Sequence, residues 1–118
     1  MDARKGEVYW AGYRYADNQL NQCCPEQVTP PENVLADIVE PCLFVGDGAR
    51  LYQELIELRL GQFAHFAPDD HNIIRGATVA FLSQERFKSG NFDDTAGLTP
   101  CYIRRSDAEI NVAKNRQF

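Results

Sequence analysis

The first predicted turn comes so early in the chain, within residues 1–10, that it leaves little room for a strand before it. Arg4-Lys5-Gly6 has the chemistry of a tight turn, and it runs directly into an aromatic strand predicted over residues 7–15. A strand entered through a tight turn normally pairs with a strand on the other side of that turn. Only Met1, Asp2 and Ala3 are available for that role. We therefore expect either a stub of a strand or a chain that is the C-terminal part of something longer.

The composition indicates one globular domain that does not bind RNA directly. The 118 residues suffice for one domain, and 44% hydrophobic and 25% charged residues are ordinary values. The net charge of −5 disfavours phosphate-driven nucleic-acid binding. Arg104, Arg105, Lys114 and Arg116 cluster near the end, where a solvated terminus is favoured over an RNA contact. No apolar run approaches the ~20 residues of a membrane helix and no signal peptide is visible, so we expect a cytoplasmic location and no membrane contact.

The four cysteines lack the spacing of a zinc site. They are Cys23, Cys24, Cys42 and Cys101, with no C-x-x-C pair and no histidine at a zinc-ligand spacing. Without an export signal, the default is four reduced thiols. The adjacent pair Cys23-Cys24 leaves a redox-sensitive role open as the alternative.

Strands alternate with helices in the predicted order. A second strand over residues 19–24 follows a turn predicted at Ala16-Asp17-Asn18. A helix is expected from its N-cap Thr29 to a stop at Pro41. The later elements are a strand over 42–45, a helix over 49–60 capped by Gly61, a strand over 63–66, a helix over 70–88 and a strand over 99–104. This order predicts an α/β structure, or an α+β one, in which helices cover a mixed β-sheet.

His65, Asp69 and His71 form a metal-like cluster, and they define an alternative function as a small metal-dependent hydrolase. Their spacing fits neither H-E-x-x-H nor a clear set of three ligands. Asp69 and Asp70 are better placed to cap the following helix. The sequence therefore assigns no metal ligand and no catalytic residue.

Gly46-Asp47-Gly48 lies between a predicted strand and a predicted helix, where backbone N–H groups can face an anion. Neither glycine-rich phosphate-binding pattern is present, and Asp47 would repel phosphate. A plain strand-to-helix turn is therefore favoured.

Asp2, Arg4 and Glu7 form a predicted charged cluster around the opening turn. Such a cluster is either an ion pair that fixes the turn, worth at most about 1 kcal/mol if exposed, or a docking surface. The ion-pair interpretation is favoured because no nucleophile or acid–base partner lies nearby in the sequence.

Three segments resemble the TsaB family of bacterial tRNA threonylcarbamoyladenosine biosynthesis proteins. The opening landmark resembles the start of that family's second domain and consists of Asp2, Ala3, Arg4, Gly6, Glu7, Val8 and Tyr9. The middle landmark is the strand-then-glycine segment over residues 43–48, and the closing landmark is Pro100-x-Tyr102-Ile103-Arg104. The resemblance covers roughly residues 1–104 and about half of a family member.

What the resemblance implies is an accessory subunit and not an enzyme. The family has the actin-like ATPase (ASKHA) fold of two similar domains, so residues 1–104 would be a truncated C-terminal domain without its N-terminal domain, followed by a weakly ordered tail over 105–118. Family members support the catalytic TsaD subunit, together with an ATPase companion, in placing threonylcarbamoyl on adenosine 37 of tRNA. The family's glycoprotease-like label comes from a metal-binding paralogue whose paired histidines have no counterpart at a matching spacing here.

The resemblance also implies partners and a surface. The expected partners are a TsaD-like subunit and an ATPase companion, with tRNA contacted only through the complex and no cofactor bound. Asp2, Arg4, Gly6, Glu7 and Tyr9 are the candidate docking surface. Self-association across a truncated sheet edge, or a stand-alone interaction module, are the other partner hypotheses.

Overall fold

The computed structural model describes residues 1–106, so most of the predicted tail over 105–118 lies outside the described residues. Strands and helices alternate as predicted, which confirms the α/β character of the chain. The elements are β1 (Val8–Ala16), β2 (Gln19–Thr29), α1 (Pro31–Ala36), β3 (Cys42–Phe44), α2 (Asp47–Leu51), α3 (Gln53–Leu60), β4 (Ala64–Phe66) and α4 (Gly76–Lys88).

β1 and β2 form an antiparallel hairpin whose ladder runs from Val8 opposite Thr29 to Ala16 opposite Gln19. Asp17 and Asn18 make the turn with φ values of 53° and 61°. A two-residue hairpin turn needs such left-handed residues because its twist must match that of the strands, and Asp and Asn tolerate them best after glycine. The predicted turn and second strand are confirmed, and the strand extends further than predicted.

The opening turn folds residues 1–3 back onto β1. Arg4, Lys5 and Gly6 have φ values of 61°, 56° and 75°. Beyond them Asp2 bridges Val8 in antiparallel sense, and the Tyr9 backbone N–H donates to the Met1 carbonyl oxygen over 2.8 Å. Residues 1–3 therefore form the short strand partner that the sequence predicts.

The prediction of a single mixed sheet is wrong for residues 1–106. β1 and β2 form one two-stranded sheet, and β3 and β4 form a second, parallel one. Pro30 and Pro31 follow β2 directly, and proline cannot donate to a ladder. The β1–β2 ladder therefore ends where the chain turns into α1. In the separate β3–β4 pair, the Phe44 and Phe66 rings pack with centroids 5.8 Å apart.

The helix predicted to start at Thr29 begins later and ends earlier. Thr29 is held in the ladder opposite Val8, and its hydroxyl accepts from the Asn33 side chain over 3.0 Å instead of capping. Pro30 is the observed N-cap, and α1 ends at Ala36. Glu40, just before Pro41, pairs with Arg14 of β1 outside the helix, as the restriction on residues preceding proline favours.

The longest predicted helix, over residues 70–88, is also wrong in its first part. Asp69–Asn72 is a separate 3-10 turn, and α4 starts only at Gly76. Ile73 and Arg75 are extended, with ψ values of 121° and 126°. β-branched residues and glycine are weak helix formers, so the sequence around residues 73–76 does little to favour a helix that continues through it.

The strand predicted over residues 99–104 is absent from the described part of the chain, where these residues belong to no helix or strand. Arg104 is instead held through its side chain, as described below. The predicted helix over 49–60 is present but interrupted at Tyr52, which separates α2 from α3. Gly61 caps α3, as predicted.

The buried core is small and lies where β1, α1, α3 and the end of β4 meet. Its buried apolar residues are Ala3, Val8, Leu35, Ile56 and Ala67. α4 buries none of its residues, and the radius of gyration is 17.5 Å, against about 13 Å for a compact 100-residue domain. α4 therefore lies outside the core. No helix within residues 1–106 combines the length and apolarity needed to cross a membrane.

Candidate functional site at the junction of three landmarks

The side chain of Arg104 joins the closing landmark to the opening one. Its Nη1 donates to the Ala3 carbonyl oxygen over 2.7 Å, and its Nη2 forms an ion pair and hydrogen bond with the Glu7 carboxylate. The guanidinium carbon also lies 5.8 Å from the centroid of the Tyr9 ring, within range of a cation–π contact. Arg104 therefore binds both sides of the opening turn at once.

The middle landmark also contacts the opening landmark, through the side chain of Asp47. The Asp47 carboxylate oxygen Oδ1 accepts from the Asp2 backbone N–H over 3.2 Å and from the Gly48 N–H over 2.9 Å. We call the set Asp2, Ala3, Glu7, Asp47 and Arg104 the landmark junction. It brings together three segments that are far apart in sequence.

Glycine fits position 48 because the opening segment passes close to it. A Cβ placed there would lie 3.0 Å from the Met1 carbonyl carbon and 3.2 Å from the Asp2 backbone nitrogen. Contacts that short with backbone force a shift of one segment or the other. Gly46 has a φ of 107°, and its N–H donates to the Asn72 side chain over 2.6 Å. These contacts fit the predicted plain strand-to-helix turn, in which the Asp47 and Asn72 side chains accept the Gly48 and Gly46 N–H groups.

The predicted charged cluster around the opening turn forms two separate ion pairs, one between Arg4 and Asp2 and one between Glu7 and Arg104. Arg4 Nε lies 3.6 Å from Asp2 Oδ2, with the Arg4 side chain 88% exposed, and the Arg4 backbone N–H donates to Asp2 Oδ1 over 2.8 Å. Glu7 pairs with Arg104 instead of joining them. Because the Arg4 side chain is so exposed, its ion pair with Asp2 adds little stability. The Arg104 side chain is only 19% exposed, so water screens its ion pair with Glu7 less.

Sequence reasoning assigned Arg104 to a solvated basic terminus, and the structure corrects this. The signal that identifies its role is the closing landmark, which ends on this arginine. Planar guanidinium groups are suited to several simultaneous hydrogen bonds in fixed directions. The landmark junction contains no serine, cysteine or histidine, so its chemistry is that of holding segments together and presenting a charged surface.

The metal-binding alternative gains no support. Among residues 1–106, no group of three or more histidine, cysteine, aspartate or glutamate residues is placed to hold a metal ion. Asp69 lies 3.3 Å from Arg50 in an exposed ion pair, and the His71 N–H donates to the Pro68 carbonyl within the 3-10 turn. Asp69 and His71 are therefore parts of separate local contacts, and His65 lies in β4 opposite Leu43.

A second surface feature is the apolar exposure of α4. Phe81, Leu82 and Phe87 are each about 70% exposed, at 70%, 71% and 72%, and Phe92 packs edge-on against Phe87 with ring centroids 5.3 Å apart. A shallow groove of about 370 Å³ runs along the helix beside Phe87 and Lys88. Exposed apolar side chains of this size are available for contact with another protein or domain.

Comparison with known proteins agrees with the predicted resemblance. No family model matches the chain. The chain is 35% identical over 125 aligned residues to the tRNA threonylcarbamoyladenosine biosynthesis protein TsaB of Bacillus subtilis (strain 168). The alignment covers 99% of this chain and 51% of that protein, so the chain spans about half the length of this relative. The predicted resemblance is therefore confirmed: over nearly its whole length this chain is similar to about half of TsaB, as expected of a C-terminal TsaB domain.

Proposed function

We propose that this chain acts in tRNA threonylcarbamoyladenosine biosynthesis as the C-terminal domain of a TsaB-like protein. The observation that carries the proposal is the 35% identity to B. subtilis TsaB over 99% of the chain. The landmark junction supports it, because the residues that carry the family resemblance meet at Arg104 although they come from both ends of the described chain. The modification concerned is threonylcarbamoyl on adenosine 37 of tRNA.

The role we propose is that of a non-catalytic partner of a TsaD-like subunit with an ATPase companion. The landmark junction carries charged and backbone groups but no nucleophile with a neighbouring base, which suits a surface that docks to a protein. The net charge of −5 disfavours a direct phosphate contact, so tRNA is reached through the complex. Asp2, Arg4, Gly6, Glu7 and Tyr9 remain the proposed docking residues.

The fold we propose is the second domain of an actin-like structure. The 51% share of TsaB that the chain covers supports this, because an actin-like fold consists of two similar domains. The small core and the exposed apolar residues of α4 are what a domain shows when a neighbouring domain or subunit is absent.

Reconstitution with purified components tests the partner role. The protein as its gene encodes it is mixed with tRNA, threonylcarbamoyl-adenylate, a TsaD-type subunit and its ATPase companion, and threonylcarbamoyladenosine is measured by mass spectrometry. We expect modification only when this protein and the TsaD-type subunit are both present. Modification by this protein alone, or modification that is unchanged when it is omitted, would overturn the proposal.

A stand-alone interaction module is the second candidate, favoured by one observation. The outer half of β1 exposes Tyr13 and Tyr15, at 51% and 67%, and within residues 1–106 its edge away from β2 is bridged only near Val8. An open edge of this kind can pair with a second copy. This candidate predicts a dimer by light scattering and unchanged threonylcarbamoyladenosine in cells that lack the protein.

A further inference from the structure

Cys23 and Cys24 lie on β2 where the ladder with β1 is irregular. Gly12 pairs with Cys24 and Tyr13 pairs with Gln22, so the register passes over Cys23. An extra residue of this kind forms a β-bulge, which redirects side chains. Adjacent side chains of a regular strand point to opposite faces, but here the Cys23 side chain hydrogen bonds to that of Cys24. The bulge therefore brings two consecutive thiols together.

Both sulfur atoms face the space above Gly12. A Cβ added to Gly12 would lie 3.0 Å from the Cys24 Cβ and 3.3 Å from each of the two sulfurs. Any larger residue at position 12 would therefore occupy the space between the thiols and β1. Glycine leaves that space open, and both sulfurs border it. We call this space between Gly12, Cys23 and Cys24 the cradle.

The cradle is reachable from solvent, and the pKa of its Cys24 thiol is raised. Cys23 is exposed and Cys24 is half-buried. Desolvation raises the pKa of Cys24, and the neighbouring Cys23 and Asp37 raise that pKa further. Because the thiolate is the reactive form, the raised pKa makes Cys24 a weaker nucleophile. A ligand for the cradle must be one that binds sulfur strongly enough to displace the thiol protons.

We propose that Cys23 and Cys24 form a two-sulfur site for a soft, thiophilic Lewis acid of the trivalent arsenic class. Soft thiol ligands select soft acceptors. Ions that need three or more protein ligands do not fit, because no such group exists among residues 1–106. An ion that takes two sulfurs from opposite sides does not fit either, since these thiols are close enough to hydrogen bond. Trivalent arsenic is pyramidal, so it takes two sulfurs on the same side, roughly at right angles, and keeps its third substituent.

The binding step exchanges oxygen for sulfur without oxidation or reduction. Phenylarsonous acid carries two hydroxyl groups on arsenic. Two As–S bonds form to Cys23 and Cys24, two As–O bonds and two S–H bonds break, and each thiol proton leaves with a hydroxyl group as water. Arsenic stays trivalent throughout, and the product is a closed ring through both cysteines.

The test uses phenylarsonous acid as the probe on the reduced full chain. Intact mass should show one phenylarsenic unit with loss of two thiol hydrogens, and this adduct should survive an excess of glutathione. A single As–S bond is displaced by a monothiol, whereas a chelate ring requires a dithiol. Peptide mapping after alkylation should find Cys23 and Cys24 protected.

Single cysteine variants decide the assignment. Cys23→Ser and Cys24→Ser should each lose the glutathione-resistant adduct, while Cys101→Ser, which removes an exposed thiol elsewhere, should retain it. Cys42→Ser should also retain it. A resistant adduct that persists in Cys23→Ser or Cys24→Ser, or one that is lost in Cys42→Ser or Cys101→Ser, would overturn the two-sulfur site.

Discussion

The guanidinium of Arg104 donates to the Ala3 carbonyl oxygen over 2.7 Å, across 101 positions of sequence. The Asp2 N–H, next to Ala3, is held by Asp47 across 45 positions. The opening segment is thus tied from two sides, by the closing landmark and by the middle landmark. The three segments that resemble TsaB therefore act as one structural unit at the landmark junction.

Replacing Arg104 tests this unit. Arg104→Ala removes the hydrogen bond to Ala3 and the charged contact with Glu7, so we expect the free energy of unfolding to fall by about 1–3 kcal/mol. Urea denaturation followed by circular dichroism measures the change. Arg105→Ala, which alters the exposed neighbouring arginine, is the matched control and should change stability by less than about 0.5 kcal/mol. Equal effects of the two variants would contradict the assignment of Arg104.

Gly48→Ala tests the close approach of the opening segment. The added methyl group would lie 3.0 Å from Met1 backbone, so residues 1–3 must move and we expect a destabilisation of about 1–3 kcal/mol. Gly76→Ala is the matched control, because a Cβ there meets nothing within 4 Å and the site is in α4. Gly76 is the first residue of α4, which lies outside the core, so alanine there should leave the thermal unfolding of the core unchanged. Gly48→Ala should lower the unfolding temperature, and equal shifts in the two variants would refute the packing at Gly48.

Local turn chemistry made the hairpin predictable. Gly6, Asp17 and Asn18 are residues that accept left-handed backbone, and both turns occur where the sequence places them. The partner role of residues 1–3 follows from the first turn alone. Gly61 is predictable for the same reason, as a helix cap that tolerates positive φ.

Long-range contacts explain what the sequence did not predict. Thr29 has good capping chemistry, but its place opposite Val8 in the ladder overrides that preference. The predicted helix start at Asp70 fails in a region where Asp69 pairs with Arg50 and Asn72 binds the Gly46 N–H, two partners that no local pattern reveals. The role of Arg104 was missed for the same reason, because its partners lie at the other end of the chain.

Asp37 should control the reactivity of Cys24. Its negative charge contributes to raising the pKa of that thiol, after desolvation and Cys23. Asp37→Asn should lower the pKa, so at a fixed pH below it more thiolate is present and iodoacetamide alkylates Cys24 faster. Glu40→Gln is the control, because Glu40 acts on Cys42. Mass-resolved alkylation against pH measures both, and an unchanged Cys24 profile in Asp37→Asn would count against this electrostatic contact.

α4 should be less protected than α3. It buries no residue, and isolated helices of this length are marginal in water. Hydrogen exchange by mass spectrometry should give α4 an opening free energy of about 0–1 kcal/mol, with higher values in α3, which buries Ile56. Protection of α4 equal to that of α3 in the protein alone would contradict its position outside the core.

The level of threonylcarbamoyladenosine in bulk tRNA tests the proposed function most directly. The gene is deleted in its own organism, and hydrolysed tRNA is analysed by liquid chromatography and mass spectrometry. We predict loss of the modified nucleoside in the deletion strain and its restoration by the gene as the genome carries it. An unchanged level in the deletion strain would contradict a role in this modification.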